Sequence, residues 1–357
     1  VETQKEIADE AGKSQTKIQK AEADQQKEIN EQTAFNERQN EKSEVFQIGE
    51  DENMVQLANE LIIHGVKISN PDKIIYEEPR LTKEDVVRYY AAVSERMLPY
   101  LSNRLLTAIR CPKGIGQTCF YKKHPGPGSK EVVIMPVAKE DGELEEYFYI
   151  DSIAGLIEEV QMGTIEFHLW GSRVYTLEEP DMMVFDLDPA QGCGFDDARE
   201  IAFLVKKALD ELGLASCPKL SGATGIHIYV PIEPKYPYSV TSGFVGAIGK
   251  ILEMVYPAKV TTERLVRNRT GRVYIDHLQN LQGKTLAAPY SPRPHPAGTI
   301  AAPVTWEELE VVYPHHFHLG NILERLHKTP DLLAAALNHR QSLDEALTAV
   351  GIGAGIT

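Results

Sequence analysis

The chain has 357 residues, 42% of them hydrophobic, and a formal net charge of −15, so it is long enough for one large folded core or two smaller ones. No apolar run is long enough to cross a membrane and the opening V-E-T-Q-K-E-I shows no leader pattern, which argues for an intracellular protein and against a membrane partner. An acidic protein does not grip DNA over a wide surface, so any nucleic-acid contact must rest on locally concentrated basic groups.

Residues 1–52 stand apart. They carry 14 acidic and seven basic side chains, no proline, and isoleucines only at positions 7, 18, 29 and 48. This composition predicts a polar tail or linker, partly helical or disordered, and places the folded domain at residues 53–357. Met54–His64 reads as a short helix. Thr82 with Asp85 predicts the N-cap of an amphipathic helix. Short strands are expected at Leu105–Arg110, Gln117–Tyr121, Glu131–Val137 and Glu146–Ile150, with Asp141-Gly142 turning between the last two. Asp151 or Ser152 caps a helix that ends at Gly163, and Thr164–Trp170 is a strand. Helices follow at Phe195–Leu212 and Ser239–Tyr256, strands at Leu220–Pro231 and Arg272–Asp276, and a helical C-terminal region includes Asp331–Val350. The alternation is irregular, which predicts an α+β fold with mixed β-sheets flanked by helices. The four cysteines show no C-x-x-C pair and are expected to be reduced, unpaired thiols.

The chemistry centres on P-D-M-M-V-F-D-L-D-P, residues 180–189. An apolar strand ends in Asp186 and Asp188, which alternation puts on one face. Two adjacent carboxylates repel unless a cation lies between them, and hard oxygen ligands suit Mg²⁺ or Mn²⁺. V-Y-I-D repeats the form and ends in Asp276. Three carboxylates on two strand ends can hold two metal ions for phosphoryl transfer. In S-G-A-T-G-I-H, residues 221–227, the glycines allow backbone to approach a phosphate. Glu166 and His168 share a strand face, and Arg293 is a cation in a proline-rich loop. Phe120 and Tyr121 adjoin Lys122, Lys123 and His124, a pattern suited to stacking bases and meeting phosphates. Arg264, Arg267, Arg269 and Arg272 make a second basic patch. Taken singly, each of these has a plain structural reading as well.

Together, V-F-D-L-D-P, S-G-x-x-G-x-H, V-Y-I-D-H-L-Q-N and A-P-Y-S-P-R resemble the polymerase domain of bacterial ligase D, a member of the archaeo-eukaryotic primase superfamily. The resemblance runs from about Gly65 to about Leu309. It implies a primase-like catalytic core and a DNA repair polymerase that prefers ribonucleotides, fills gaps and extends ends in non-homologous end joining. The implied metal ligands are Asp186, Asp188 and Asp276, holding two Mn²⁺ or Mg²⁺ ions. Contacts to the nucleoside triphosphate fall to His168, Ser221, His227 and Arg293. Phe120 and Tyr121 match a pair that stacks on the template, and Lys73 and Lys83 match lysines that receive a downstream 5′-phosphate, with Lys123 a further DNA contact. Gln279 and Asn280 match a polar pair in the third motif. The implied partners are DNA ends, gapped DNA, the Ku protein and a ligase domain, in a cytoplasmic, nucleoid-associated setting. The sequence departs from the pattern at Thr224, where many relatives carry a phosphate-binding lysine, and at Ile109, where a basic residue is expected.

Three other readings compete. A haloacid-dehalogenase phosphatase uses an F-D-x-D strand end, but near the start of its domain and followed by threonine rather than Pro189-Ala190. Lys139–Gly142 resembles the K-x-D-G of a ligase core, but Leu144 replaces the arginine. A non-catalytic nucleic-acid-binding module would need no metal. His315, His316 and His318 lack any supporting metal pattern and read as structural or surface residues.

Overall fold

The computed structural model describes residues 54–57, 60–139 and 141–353, and residues 55–357 gather into one compact unit. The expected polar tail lies outside the described residues. Met54–Leu57 and Glu60–Ile63 are strands, not the expected helix. Glu60–Ile63 pairs with Val66–Ile68 through a tight turn in which His64 and Gly65 both take positive φ, 46° and 80°. The turn conformation overrides what looked like helical spacing.

Two sheets organise the unit. The larger has the order Cys217–Leu220, Ile226–Pro231, Met182–Pro189, Val273–Ile275, Val260–Thr261. It is antiparallel except where Val260–Thr261 runs parallel to Val273–Ile275. The second, wholly antiparallel, has the order Thr285–Ala287, Thr164–Trp170, Leu106–Arg110, Phe120–Lys122. Val133–Ala138 and Leu144–Tyr149 form a separate hairpin around the Asp141-Gly142 turn, so Lys139–Gly142 belongs to a hairpin and not to a ligase core. Helices Phe195–Glu211 and Tyr238–Val255 pack on the larger sheet. Met183, Phe185 and Leu187 point to that side and are fully buried. Met182 and Val184, on the opposite face, line a cavity with Leu169 and Leu286 of the second sheet. The sheets therefore face each other across the side that carries the acids.

The helix Lys83–Leu101 starts at a complete capping box, with the Thr82 hydroxyl accepting from Asp85 N–H and the Asp85 carboxylate accepting from Thr82 N–H. Ser152 caps Ile153–Gln161. The expected C-terminal helix is broken into Leu332–Asn338 and Asp344–Ala349, because Gln341 between them bridges to Ile232 beyond the strand Ile226–Pro231. A buried ion network anchors the start of the acidic strand. Arg104, fully buried, donates to Asp181 Oδ1 at 2.5 Å, and Arg173 donates to its other oxygen at 3.0 Å. Those two guanidiniums outweigh burial and hold the Asp181 carboxyl below its usual range.

The expectation of four free thiols is corrected. Cys111 and Cys119 form a disulfide, while Cys193 and Cys217 are free. The pairing Arg110↔Phe120 sets the residues just beyond it, Cys111 and Cys119, opposite each other. That adjacency arises from strand register and leaves no local spacing signature.

Candidate nucleotidyl-transfer site

Met182–Pro189 is paired with Ile226–Pro231 over most of its length, but with Val273–Ile275 only from Leu187 to Pro189. Beyond Ile275 the chain turns away, and Asp276 N–H donates to the Asp186 carbonyl at 2.9 Å. Asp276 thus emerges beside Asp186 and Asp188, as the motifs predict. Burial pushes the Asp186 carboxyl well above the usual carboxylate range, and repulsion from Asp188 and Asp276 adds to it. Asp188 is raised by burial and by Asp276. Lys219, Arg293 and Arg269 offset part of this. Asp276 accepts from the Tyr274 hydroxyl and from Leu278 N–H, both at 3.0 Å.

The donor set suits a hard divalent cation: three carboxylates, one of them deeply buried beside like charges, and, among the described residues, no lysine or arginine within ion-pair distance of any of the three. Among the described residues, no group of three or more His, Cys, Asp or Glu side chains already encloses an ion position.

The glycine turn lies against this centre. The Ser221 hydroxyl accepts from Ala223 and Gly225 N–H, both at 3.1 Å, which ties the turn. Gly222 has φ +75°, and a Cβ there would lie 2.7 Å from Arg293 Cγ and 2.9 Å from the Ile300 carbonyl carbon. A Cβ on Gly225 would lie 2.6 Å from the Leu187 carbonyl oxygen. Glycine is what lets the turn touch both the acidic strand and Arg293. Thr224 sits exposed at the tip.

His227 faces Asp186 across the strand pair, with Nε2 3.4 Å from Oδ1. Burial drives its imidazole well below the ordinary range, helped by Lys219, Arg293 and His168, so it is neutral. Arg293 Nη1 donates to the Ser221 carbonyl at 3.1 Å and lies 2.9 Å from Glu166 Oε1. His168 Nε2 lies 2.6 Å from the same oxygen. The structure therefore brings together Asp186, Asp188, Asp276, His168, Ser221, His227 and Arg293.

Tyr121 adjoins this group, with its ring edge-on to His168 at 6.4 Å between centroids. Phe120 leaves the strand on the other face, under the Arg110 guanidinium. Both rings are exposed, as is Lys123. Lys122 is instead buried, 2.6 Å from Glu159, and is no surface cation. Lys73 and Lys83 form a separate cluster: Lys73 donates to the Pro112 carbonyl, and Lys83 to the Ser69 carbonyl and Gln161. Burial lowers the Lys83 ammonium to about 8, with Lys73 adding repulsion.

Sequence reasoning gave no role to four residues that complete the arrangement. Glu166 joins His168 to Arg293. Lys219, fully buried, donates to the Ala287 carbonyl at 2.6 Å and so ties the two sheets; burial and then Arg293 lower it to about 7. Its pairing with His227, itself paired with Asp186, was the missing signal. Arg269 stacks on Tyr274, 3.4 Å from the ring centroid, and Tyr274 holds Asp276. Asn280, singled out without a role, is a backbone mimic: its side chain accepts from Val184 N–H at 2.8 Å and donates to the Val184 carbonyl at 2.7 Å.

The family described as LigD, primase-polymerase domain matches residues 82–333. The bifunctional non-homologous end joining protein LigD of Bacillus subtilis (strain 168) is 34% identical over 265 residues, covering 74% of this chain and 43% of that protein. The multifunctional LigD of Mycolicibacterium smegmatis is 31% identical over 271 residues, covering 75% of this chain and 36% of that protein. The chain thus spans less than half the length of these relatives. Among solved structures, the polymerase domain of Mycobacterium tuberculosis ligase D in complex with DNA superposes with a TM-score of 0.71 at 31% identity, covering 77% of this chain and 99% of that one. With the family match spanning most of the chain and the fold shared, the chain belongs to the LigD primase-polymerase domain family.

Proposed function

We propose that this chain is a template-directed nucleotidyltransferase that fills gaps and extends ends in double-strand break repair, with a preference for ribonucleotides. The observation that carries the reading is the convergence of three strand-end carboxylates with a glycine turn, a neutral buried histidine and an arginine. The relatives are end-joining proteins and the solved neighbour is a polymerase domain with DNA, which supports the same role here.

Asp186, Asp188 and Asp276 would hold two Mn²⁺ or Mg²⁺ ions, which when bound would acidify the primer 3′-hydroxyl and neutralise the leaving pyrophosphate. The chain's own groups do the rest. Arg293 offers its remaining N–H groups to the triphosphate. The turn at Ser221–Gly225 brings backbone close to the phosphates. His227, neutral and fixed beside Asp186, contributes a hydrogen bond without adding charge. Tyr121 gives a stacking surface next to His168, and Phe120 a second one on the other face of the strand. Lys73 and Lys83 receive the 5′-phosphate of a downstream strand, and Lys123 a template phosphate. Ku and a ligase domain are the partners that the end-joining role calls for. Among the described residues, no helix is long and apolar enough to cross a membrane.

Primer extension on gapped DNA tests the reading. Asp186→Ala should abolish nucleotide addition, while the phosphatase and binding-module readings both predict that no primer is extended even by the parent.

A further inference from the structure

We propose that Glu166 is the positioning residue of the nucleotide site, a single buried carboxylate that holds His168 and Arg293 in register for the triphosphate. The inference rests on the reading of His168 and Arg293 as nucleotide contacts.

Glu166 is fully buried in the strand Thr164–Trp170. A buried carboxylate is costly unless it is paired. Its Oε1 takes both partners, His168 Nε2 at 2.6 Å and Arg293 Nη1 at 2.9 Å, while its Oε2 is buried without a hydrogen bond. The two partners come from different places. His168 lies two residues along the same strand, and Arg293 comes from the loop that follows Thr285–Ala287. Hydrogen bonds from Ala288 N–H to the Phe167 carbonyl at 2.8 Å and from Phe167 N–H to the Ser291 hydroxyl at 2.9 Å tie the loop to the same strand, and Glu166 fixes the Arg293 side chain upon it. Arg293 spends one nitrogen on Glu166 and Ser221, and its other N–H groups make no hydrogen bond among the described residues. A guanidinium held at one corner loses less freedom when it meets a phosphate than one that swings freely. Likewise His168, with Nε2 committed, presents only its other edge.

The test is steady-state extension with Glu166→Gln, which keeps the shape and removes the charge. The KM for nucleoside triphosphate should rise about ten- to hundredfold with kcat nearly unchanged, because the loss falls on ligand binding. In a background carrying both His168→Ala and Arg293→Ala the same substitution should change KM by no more than about twofold, since Glu166 acts through those two side chains. If Glu166→Gln leaves KM unchanged while Arg293→Ala raises it, the inference is overturned and the nucleotide site stands. If Arg293→Ala also leaves KM unchanged, the nucleotide-site reading itself falls, and the inference with it. A full effect of Glu166→Gln in the background lacking both partners overturns it too. Should Glu166→Gln fail to fold, nitrogen-15 NMR of the parent's histidines decides. A solvent-protected His168 proton on Nε2 supports the contact, and an unprotonated Nε2 removes it.

Discussion

Asp186→Asn in metal-free protein should raise stability while abolishing catalysis. Asp186 and Asp188 are two strand residues apart, which sets them about 6.6 Å from each other. At an effective dielectric of about 20, two unit charges at that separation repel by about 2.5 kcal/mol. Asp276 adds a similar repulsion, and attraction to Lys219 and Arg293 offsets roughly one of the two. The net gain on removing the charge is therefore about 2–3 kcal/mol, or roughly 5 °C in Tm. The pH dependence has a definite sign. The folded-state pKa of Asp186 is raised, so the parent has its full stability below the unfolded pKa of about 3.9 and loses it as pH rises through the folded value. The gap between variant and parent should open above about pH 4 and be widest at neutral pH and beyond. Mn²⁺ should then stabilise the parent by about 2.7 kcal/mol at a hundredfold excess over Kd, raising its Tm, and the variant much less. Calorimetry at pH 4 and pH 8, with and without Mn²⁺, reads all of this. Equal melting of both proteins at both pH values, with equal responses to Mn²⁺, would refute the argument that these acids form a repulsive centre awaiting a cation.

Asp181→Ala leaves Arg104 fully buried with its charge unpaired, and urea unfolding should show a loss of about 3–5 kcal/mol; a loss under about 1 kcal/mol would mean that the network does not anchor the strand. Gly222→Ala forces a Cβ against the Ile300 backbone and Arg293 at a positive φ, so triphosphate affinity and stability should both fall, the latter by about 1–3 kcal/mol; an unchanged melting curve would show that the turn yields freely. Lys73→Ala with Lys83→Ala should remove any preference for a 5′-phosphorylated gap and reduce the salt slope of binding by about one to two, measured by titration across a salt series. Because Lys83 has a depressed ammonium, the 5′-phosphate advantage should decline as pH rises through about 8, and a preference flat from pH 7 to 9 would remove Lys83 from the pocket.

The three acids and the glycine turn were legible because each lies at the end of an apolar strand or in a glycine-bearing turn. Asp186 and Asp188 are placed by strand alternation, which the local sequence foreshadows, while Asp276 is brought to them by the pairing Leu187↔Ile275. The strand Thr164–Trp170 and the Thr82 cap appear where predicted, since each carries a strong local signal. What sequence could not supply depends on register between distant segments. Lys219 gains meaning only because it pairs with His227, and Cys111 meets Cys119 only because Arg110 faces Phe120. Local propensity misled at residues 54–64, where two positive-φ residues turn an apolar stretch into a hairpin, and at Lys122, where a charge in a basic run is buried against Glu159.

The side chain of Asn280 has a consequence beyond the site. Among the described residues, the central strand has no neighbouring strand on the side of Val273–Ile275 between Met182 and Asp186, because the chain leaves the sheet at Asp276 to bring its carboxylate to the centre. An open edge in the middle of a sheet is a ready template for another molecule's strand. Asn280 closes it by supplying one donor and one acceptor to Val184, the pair that an adjacent strand would have offered. The departure that delivers the third acid thus creates a vulnerability to self-association, and the residue four positions on removes it. Asn280→Ala should therefore show itself first as concentration-dependent aggregation, detectable by light scattering at protein concentrations across which the parent's apparent mass does not change.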